Sequence, residues 1–105
     1  VISGGVNIYP AEIENVLVNC PGVRDCAVFG VPDEEFGETL VAAIEAEPDA
    51  TPAAADIAAF LEQRLARFKI PRRLVFHEAL PREASGKIFK RKLRDGYLQS
   101  GVAPA

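Results

Sequence analysis

Residues 23–47, VRDCAVFGVPDEEFGETLVAAIEAE, contain two of the three main strands that the sequence predicts. Apolar side chains dominate residues 23–31, and Pro32-Asp33 marks the exit into a turn. From Thr39 onwards the side chains alternate as they do in a half-buried strand. The polar loop between these strands carries Phe36, which either anchors the loop to the core or offers a flat face to a planar ligand.

Two helical patterns accompany these strands. Pro10 suits the first turn of a helix, and Pro21-Gly22 ends it. The apolar stripe of this helix consists of Ile13, Val16, Leu17 and Cys20. Thr51-Pro52 predicts the start of a second helix, with a capping side chain followed by proline at the first helical position.

Residues 72–77 supply a third strand, and a third helix begins at Lys90 and leads into a tail, residues 100–105, that we expect to fray. Ser3-Gly4-Gly5 lies between two short extended pieces, and is either a plain hairpin turn or a bare backbone for a ligand chain. The predicted fold class is α+β. It comprises a small mixed sheet of about three strands with helices packed on it, preceded by a short N-terminal hairpin.

Composition bounds the function. A chain of 105 residues forms one small domain, too small for a deep pocket of its own. The net charge of -3 and the pI near 5.1 argue against a general binder of nucleic acid or anionic membranes. No apolar run approaches the ~20 residues that span a bilayer, and no export signal stands at the start, so we expect a cytoplasmic protein.

The cysteines and the histidine suggest structure more than chemistry. Cys20 and Cys26 have no second cysteine pair near them, so we expect two reduced, structural thiols and no metal site. His77 has no acid or nucleophile at a diagnostic spacing, which favours a strand-end or surface role. The chain opens at Val1 and contains no methionine, which we interpret as a fragment of a longer protein.

Most of the candidate chemistry lies in residues 80–93, LPREASGKIFKRKL. A Ser-Gly turn precedes Lys87, so its ammonium can point away from the core. A phosphate-binding loop is excluded, because Pro81 replaces the required glycine and Ile88 replaces the magnesium-binding hydroxyl. A solvated basic helix start remains open, and a nucleic-acid patch is disfavoured because Phe89 is the segment's single aromatic residue.

Three ordered motifs resemble the small C-terminal domain of adenylate-forming enzymes, a superfamily that includes acyl-CoA synthetases, peptide-synthetase adenylation domains and luciferases. The first is residues 2–14, ISGGVNIYPAEIE, which is similar to the segment that opens that domain. The second is residues 28–33, VFGVPD, followed by Gly37-Glu38. The third is Leu80-Pro81 with Ser85-Gly86-Lys87, which is similar to the last core motif.

The resemblance implies a two-step ligase reaction of the kind used in fatty acid metabolism. A carboxylic acid and Mg-ATP give an acyl-adenylate, which then passes its acyl group to coenzyme A. A large N-terminal domain, absent here, would hold ATP, Mg²⁺ and the acid. The small domain, residues 1–105, would swing between two orientations, one for each half-reaction.

The resemblance also assigns residues. Lys87 matches the lysine that enters the site for adenylation, where a positioned ammonium stabilises the transition state. Gly4 and Gly5 would line the pantetheine tunnel, and Phe36 and Phe68 are similar to aromatic contacts of CoA. The run Pro81-x-x-x-x-Gly86-Lys87 resembles a site for lysine acetyltransferases, with a deacetylase to reverse the modification.

One position departs from the pattern, and two alternatives stay open. Ile70 stands where some relatives place an arginine for nucleotide phosphates, and Lys69, Arg72 or Arg73 is a candidate substitute. The first alternative is a peptide-synthetase adenylation domain that loads a carrier protein. The second is a non-catalytic interaction module that uses the basic face from Lys87 to Arg94, which belongs to the basic segment of residues 82–94.

Overall fold

The computed structural model describes residues 1–100, so the predicted tail lies outside the described residues except for Ser100. These residues form five strands, three α-helices and one 3₁₀ turn. In order they are β1 (Ile2–Ser3), β2 (Val6–Asn7), α1 (Pro10–Leu17), β3 (Val23–Asp33), β4 (Gly37–Ala46), α2 (Ala54–Glu62), the 3₁₀ turn (Arg67–Lys69), β5 (Arg73–His77) and α3 (Lys90–Ser100).

The sheet is mixed and β4 lies at its centre. β4 pairs antiparallel with β3 along most of its length and parallel with β5 through residues 41–45. β1 and β2 form a hairpin that joins the same sheet through one pair, Ser3 with Gly37. The predicted α+β class and the mixed sheet are confirmed, but the hairpin extends the sheet to five strands instead of standing before it.

Two apolar cores lie on opposite faces of β4. Leu40, Ala42 and Ile44 face the core beneath α1 and α2, whereas Val41 and Ala43 face the core beneath α3. The prediction of a half-buried strand is therefore wrong for the centre of β4, where residues 40–44 are all buried. Alternation is weak there because helices cover both faces of the sheet.

Two helix boundaries differ from the predicted ones. α1 ends at Leu17, and Cys20 reaches the core from a tight turn in which its N–H donates to the Leu17 carbonyl at 3.0 Å. α2 begins at Ala54 without a side-chain cap, so the start predicted at Thr51-Pro52 is wrong. Pro52 is used differently, because it lies where a side chain on Gly22 would come within 3.2 Å of it. No helix within residues 1–100 is long and apolar enough to cross a membrane.

Candidate functional site

The lysine loop, residues 81–89, is a tight reversal that presents Lys87. The Phe89 N–H donates to the Pro81 carbonyl at 2.8 Å, and the Glu83 N–H donates to the Lys87 carbonyl at 2.8 Å. Gly86 has φ +94°, a left-handed conformation that favours glycine. The Ser-Gly turn predicted before Lys87 is therefore present, and its glycine is required by backbone geometry.

Three cations attach this loop and α3 to the neighbouring elements. The Arg82 guanidinium binds the Asp25 carboxylate at 2.6 Å and the Gly86 carbonyl at 3.1 Å. The Lys90 ammonium binds the Glu14 carboxylate at 2.7 Å, and Arg94 donates to the Gly30 carbonyl at 2.8 Å. By contrast, the exposed Lys87 ammonium has no hydrogen bond or ion pair within residues 1–100. Within residues 1–100, the basic segment thus combines structural cations with two exposed lysines, Lys87 and Lys92, that make no hydrogen bond or ion pair.

An open cavity of about 780 Å³, which we call the lysine cavity, lies beside Lys87. Cys26 and Ala27 of β3 form one wall, and Glu14 of α1 and the start of α3 complete it. Glu14 accepts a hydrogen bond from the Val28 N–H at 2.8 Å, so it also satisfies a donor on the outer edge of β3. The cavity therefore lies at the free edge of the sheet and is lined by charged side chains.

The glycine groove is a second cavity, of about 640 Å³, and it contains three of the predicted CoA-contacting residues: Gly4, Phe36 and Phe68. The Gly4 N–H donates to the Phe36 carbonyl at 2.9 Å, and a side chain on Gly4 would meet the Phe36 ring at 3.7 Å. Gly5 lies in the same turn with φ +82°, but it does not line the groove. The structure therefore brings Gly4, Phe36 and Phe68 together and leaves Gly5 beside them.

Phe36 lies outside both cores and is 37% exposed, which favours the ligand-facing interpretation over the core anchor. The Arg72 guanidinium lies 5.4 Å from the centre of its ring. Phe68, which also lines the groove, is 53% exposed. The groove therefore has two accessible aromatic side chains.

The glycine groove is lined by cations as well as by Ile70, the residue that departs from the arginine expected at its position. Of the three proposed substitutes, Arg72 lines the groove, Lys69 instead binds Glu12 at 2.7 Å, and Arg73 is not among the lining residues. Arg67 also lines the groove, and sequence reasoning missed it. Arg67 directly precedes Phe68 in the sequence, and this adjacency could have indicated that it lines the same groove.

The lysine cavity and the glycine groove lie on opposite sides of the β3–β4 pair. β3 has β4 as its single partner within residues 1–100, and the lysine cavity lies against its free edge. The glycine groove instead lies where β1 and the segment before β5 meet β4. A ligand in one cavity is thus separated from the other by the two longest strands.

Burial is the main influence on the pKa values of Cys20, Cys26 and His77. Cys20 and Cys26 are buried and free. Burial, followed by the charges of Glu14 and Asp25, raises the pKa of the Cys26 thiol to about 12. Burial lowers the pKa of His77, which lines an apolar cavity of about 430 Å³ beneath α3. Within residues 1–100, no three His, Cys, Asp or Glu side chains lie close enough to hold a metal ion.

Known proteins share both the sequence and the shape of this chain. Residues 12–87 match the family described as AMP-binding enzyme C-terminal domain. A 3-[(3aS,4S,7aS)-7a-methyl-1,5-dioxo-octahydro-1H-inden-4-yl]propanoyl:CoA ligase of Rhodococcus jostii is 51% identical over 94 residues, which are 90% of this chain and 18% of that protein. A fatty acid–[acyl-carrier-protein] ligase of Streptomyces coeruleorubidus is 46% identical over 97 residues, 92% of this chain and 19% of that protein.

The same relationship holds in three dimensions. The solved structure of a Mycobacterium tuberculosis fatty acyl CoA synthetase has a TM-score of 0.87 to this chain at 44% identity, covering 95% of this chain and 20% of that one. This chain therefore spans about a fifth of the length of each of these relatives. The family match runs from α1 to Lys87 and covers most of the described fold. The chain belongs to the family of AMP-binding enzyme C-terminal domains.

Proposed function

We propose that this chain is the mobile C-terminal domain of an ATP-dependent acid–CoA ligase, working with an N-terminal domain that binds ATP, Mg²⁺ and the carboxylic acid. The observation that carries the proposal is that two candidate functional surfaces lie on different sides of one small domain. An unpaired lysine lies on one side of the β3–β4 pair, and a groove with exposed aromatic rings lies on the other. A domain that turns between two orientations presents them in sequence.

In the first half-reaction, Lys87 supplies a positive charge to the N-terminal domain's site. A carboxylate oxygen of the acid attacks the α-phosphorus of ATP, and the bond to pyrophosphate breaks. Both reacting groups are anionic, so an ammonium between them stabilises the transition state without taking a proton. Lys87 suits this role because no partner within residues 1–100 must release it first.

In the second half-reaction, the glycine groove receives the thiol substrate. The CoA sulfur attacks the acyl carbon of the adenylate, and AMP leaves. We assign the pantetheine arm to the backbone at Gly4 and Gly5, and the nucleotide end to Phe36 and Phe68. The guanidinium groups of Arg67 and Arg72 line the same groove and suit phosphate oxygens.

The test separates the two half-reactions in the full-length enzyme that contains this chain. Lys87→Ala should remove most acid-dependent pyrophosphate exchange and spare CoA thioester formation from supplied acyl-adenylate. Gly4→Leu should show the opposite pattern, because Gly4 lines the glycine groove and a side chain there would meet the Phe36 ring. Lys92→Ala, which removes a nearby cation, is the control. Equal losses in both half-reactions, or none, would contradict the assignment.

A carrier protein is the alternative thiol donor, and the name of the Streptomyces coeruleorubidus relative supports considering it. CoA and a carrier protein both present a pantetheine arm, but CoA alone brings the nucleotide phosphates. Replacing Arg67 and Arg72 together by Gln should therefore raise the KM for CoA if CoA is the acceptor. Preferential transfer to a carrier protein, unaffected by this change, would favour the alternative.

We further propose that Lys87 is the target of a lysine acetyltransferase and a matching deacetylase. Acetylation removes the ammonium charge, and the exposure of Lys87 leaves it accessible. Mass spectrometry of the enzyme after incubation with acetyl donors should place the modification on Lys87, with loss of adenylation and retention of thioester formation. Modification at Lys92 in place of Lys87 would argue against this switch.

A further inference from the structure

We propose that Arg82 and Asp25 are positioning residues that fix Lys87 for adenylation, an inference that rests on the proposed function. Neither residue has a role in the assignments above. Arg82 is five residues before Lys87, at the base of the lysine loop, and Asp25 lies on β3. Their contact joins the loop to the sheet.

The Arg82 guanidinium and the Asp25 carboxylate together make three hydrogen bonds, and we call this arrangement the fork. One terminal nitrogen of Arg82 binds Asp25 Oδ2 at 2.6 Å, and the other donates to the carbonyl of Gly86 at 3.1 Å. The second Asp25 oxygen, Oδ1, accepts the Cys26 N–H at 2.9 Å, which orients the carboxylate. Because a guanidinium is planar, these bonds define where the peptide that precedes Lys87 lies relative to β3.

The loop tip needs such a connection. A side chain added to Gly86 would find no heavy atom within 4 Å, so packing around Gly86 itself does not hold the tip in place. The other hydrogen bonds of the tip, Glu83 to Lys87 and Gly86 to Glu83, stay within the loop. Arg82 is therefore the hydrogen-bonded link from Gly86 to the sheet within residues 1–100.

The contact is better suited to positioning than to stability. The Arg82 and Asp25 side chains are 43% and 32% exposed, and ion pairs at such surfaces contribute little to folding. A catalytic charge is far more sensitive, since a displacement of about 1 Å can cost about a hundredfold in rate. Lys90 and Glu14 hold the start of α3 separately, so loss of the fork should release the tip without detaching the helix.

The experiment uses the full-length enzyme with Arg82→Ala, Asp25→Asn, Lys87→Ala and the double variant Arg82→Ala/Lys87→Ala. Arg82→Ala should lower kcat for adenylation by about tenfold to a hundredfold with little change in the KM for ATP. Thioester formation from supplied acyl-adenylate should be unchanged. Asp25→Asn should give a smaller loss, because the amide keeps the acceptor for the Cys26 N–H but loses the charge that holds Arg82.

Three comparisons distinguish positioning from a general structural effect. Arg24→Ala removes a neighbouring arginine that pairs with Glu45 at 3.6 Å, outside the lysine loop, and should leave both half-reactions unchanged. Hydrogen exchange of the Glu83 and Gly86 amides should accelerate in Arg82→Ala while the β3 and β4 amides keep their protection. Arg82→Lys should restore activity only in part, because one ammonium cannot reproduce the planar fork.

The outcomes separate the inference from the proposed function. If Lys87→Ala retains adenylation, the proposed function is wrong. If Lys87→Ala loses adenylation and Arg82→Ala stays within about twofold of the parent enzyme, the positioning role alone is wrong. An additional loss in the double variant as large as that of Arg82→Ala alone would show that Arg82 acts independently of Lys87, which also overturns the inference. We expect the double variant to match Lys87→Ala.

Discussion

Cys26 illustrates how one buried residue responds to its surroundings. Its side chain faces the core beneath α1, and its thiol lies 3.7 Å from the Glu14 carbonyl. Burial and nearby carboxylates keep the thiol neutral, because an anion would lose hydration and meet like charge. Cys26 is therefore a poor nucleophile at neutral pH, although it lines the lysine cavity.

This shift predicts a pH dependence of stability. The pKa of the Cys26 thiol is near its usual value of 9.0 in the unfolded chain and about 12 in the folded one. Between these pH values the unfolded chain releases a proton that the folded chain keeps, so the free energy of unfolding should fall as pH rises above 9. Urea titrations at several alkaline pH values should show a weaker fall for Cys26→Ala. Parallel curves for the two proteins would contradict the prediction.

Two glycines at the residue scale should respond oppositely to alanine. Both Gly86 and Gly96 have open space where a side chain would be added, so crowding plays no part. Gly86 has φ +94°, and an alanine there is strained, whereas Gly96 lies inside α3, where alanine reduces backbone freedom in the unfolded chain.

We therefore expect Gly96→Ala to raise the free energy of unfolding by about 0.5–1 kcal/mol, and Gly86→Ala to lower it by about 1 kcal/mol. Denaturant titration of both variants beside the parent chain measures the difference. A stabilising Gly86→Ala would mean that the turn before Lys87 does not require the left-handed conformation.

At the scale of elements, Glu14 connects α1, β3 and α3. Its carboxylate accepts the Val28 N–H of β3 at 2.8 Å and binds Lys90 at the start of α3 at 2.7 Å. Edge strands expose unpaired N–H groups, and here a helix side chain satisfies one of them. Glu14 therefore connects α1 to β3 and to the start of α3, the helix that follows the lysine loop.

Glu14→Ala should cost about 1–3 kcal/mol of unfolding free energy, because the Val28 N–H and Lys90 lose their partner. Glu14→Gln keeps an acceptor for Val28 and should cost clearly less. Equilibrium unfolding in urea compares the two variants, with Glu12→Gln as a control that weakens the exposed pair with Lys69. Equal costs for Glu14→Ala and Glu14→Gln would indicate that the hydrogen bond to β3 contributes nothing.

At the scale of the whole molecule, charge and surface argue against the non-catalytic interaction module. The net charge is -3, and three cations of the basic segment are already engaged with protein groups. The domain also presents its two cavities on different sides, which suits a body that meets a larger partner in two orientations.

The chain of residues 1–105 by itself should therefore show neither acid-dependent pyrophosphate release from ATP nor salt-dependent binding of RNA or DNA. Isotope exchange and fluorescence anisotropy at low and moderate salt measure these two properties. Retention of nucleic acid that weakens steeply with salt would revive the interaction module. ATP turnover by this chain alone would contradict the assignment of the nucleotide site to another domain.

The sequence by itself predicted most of the helices and strands and the α+β class, because apolar periodicity and glycine-containing turns are local properties of the chain. The resemblance of three ordered motifs indicated the family. The sequence could not show that residues 40–44 are buried on both faces, since α3 covers the second face from 50 residues further on. Nor could it separate the structural cations of the basic segment from the unpaired ones. Tertiary structure alone decided that, because Arg82, Lys90 and Arg94 find partners on β3 and α1 that are distant in sequence. Lys87 and Lys92 are both left without one in the described fold, and Lys87 differs from Lys92 in that it lies in the lysine loop and lines the lysine cavity.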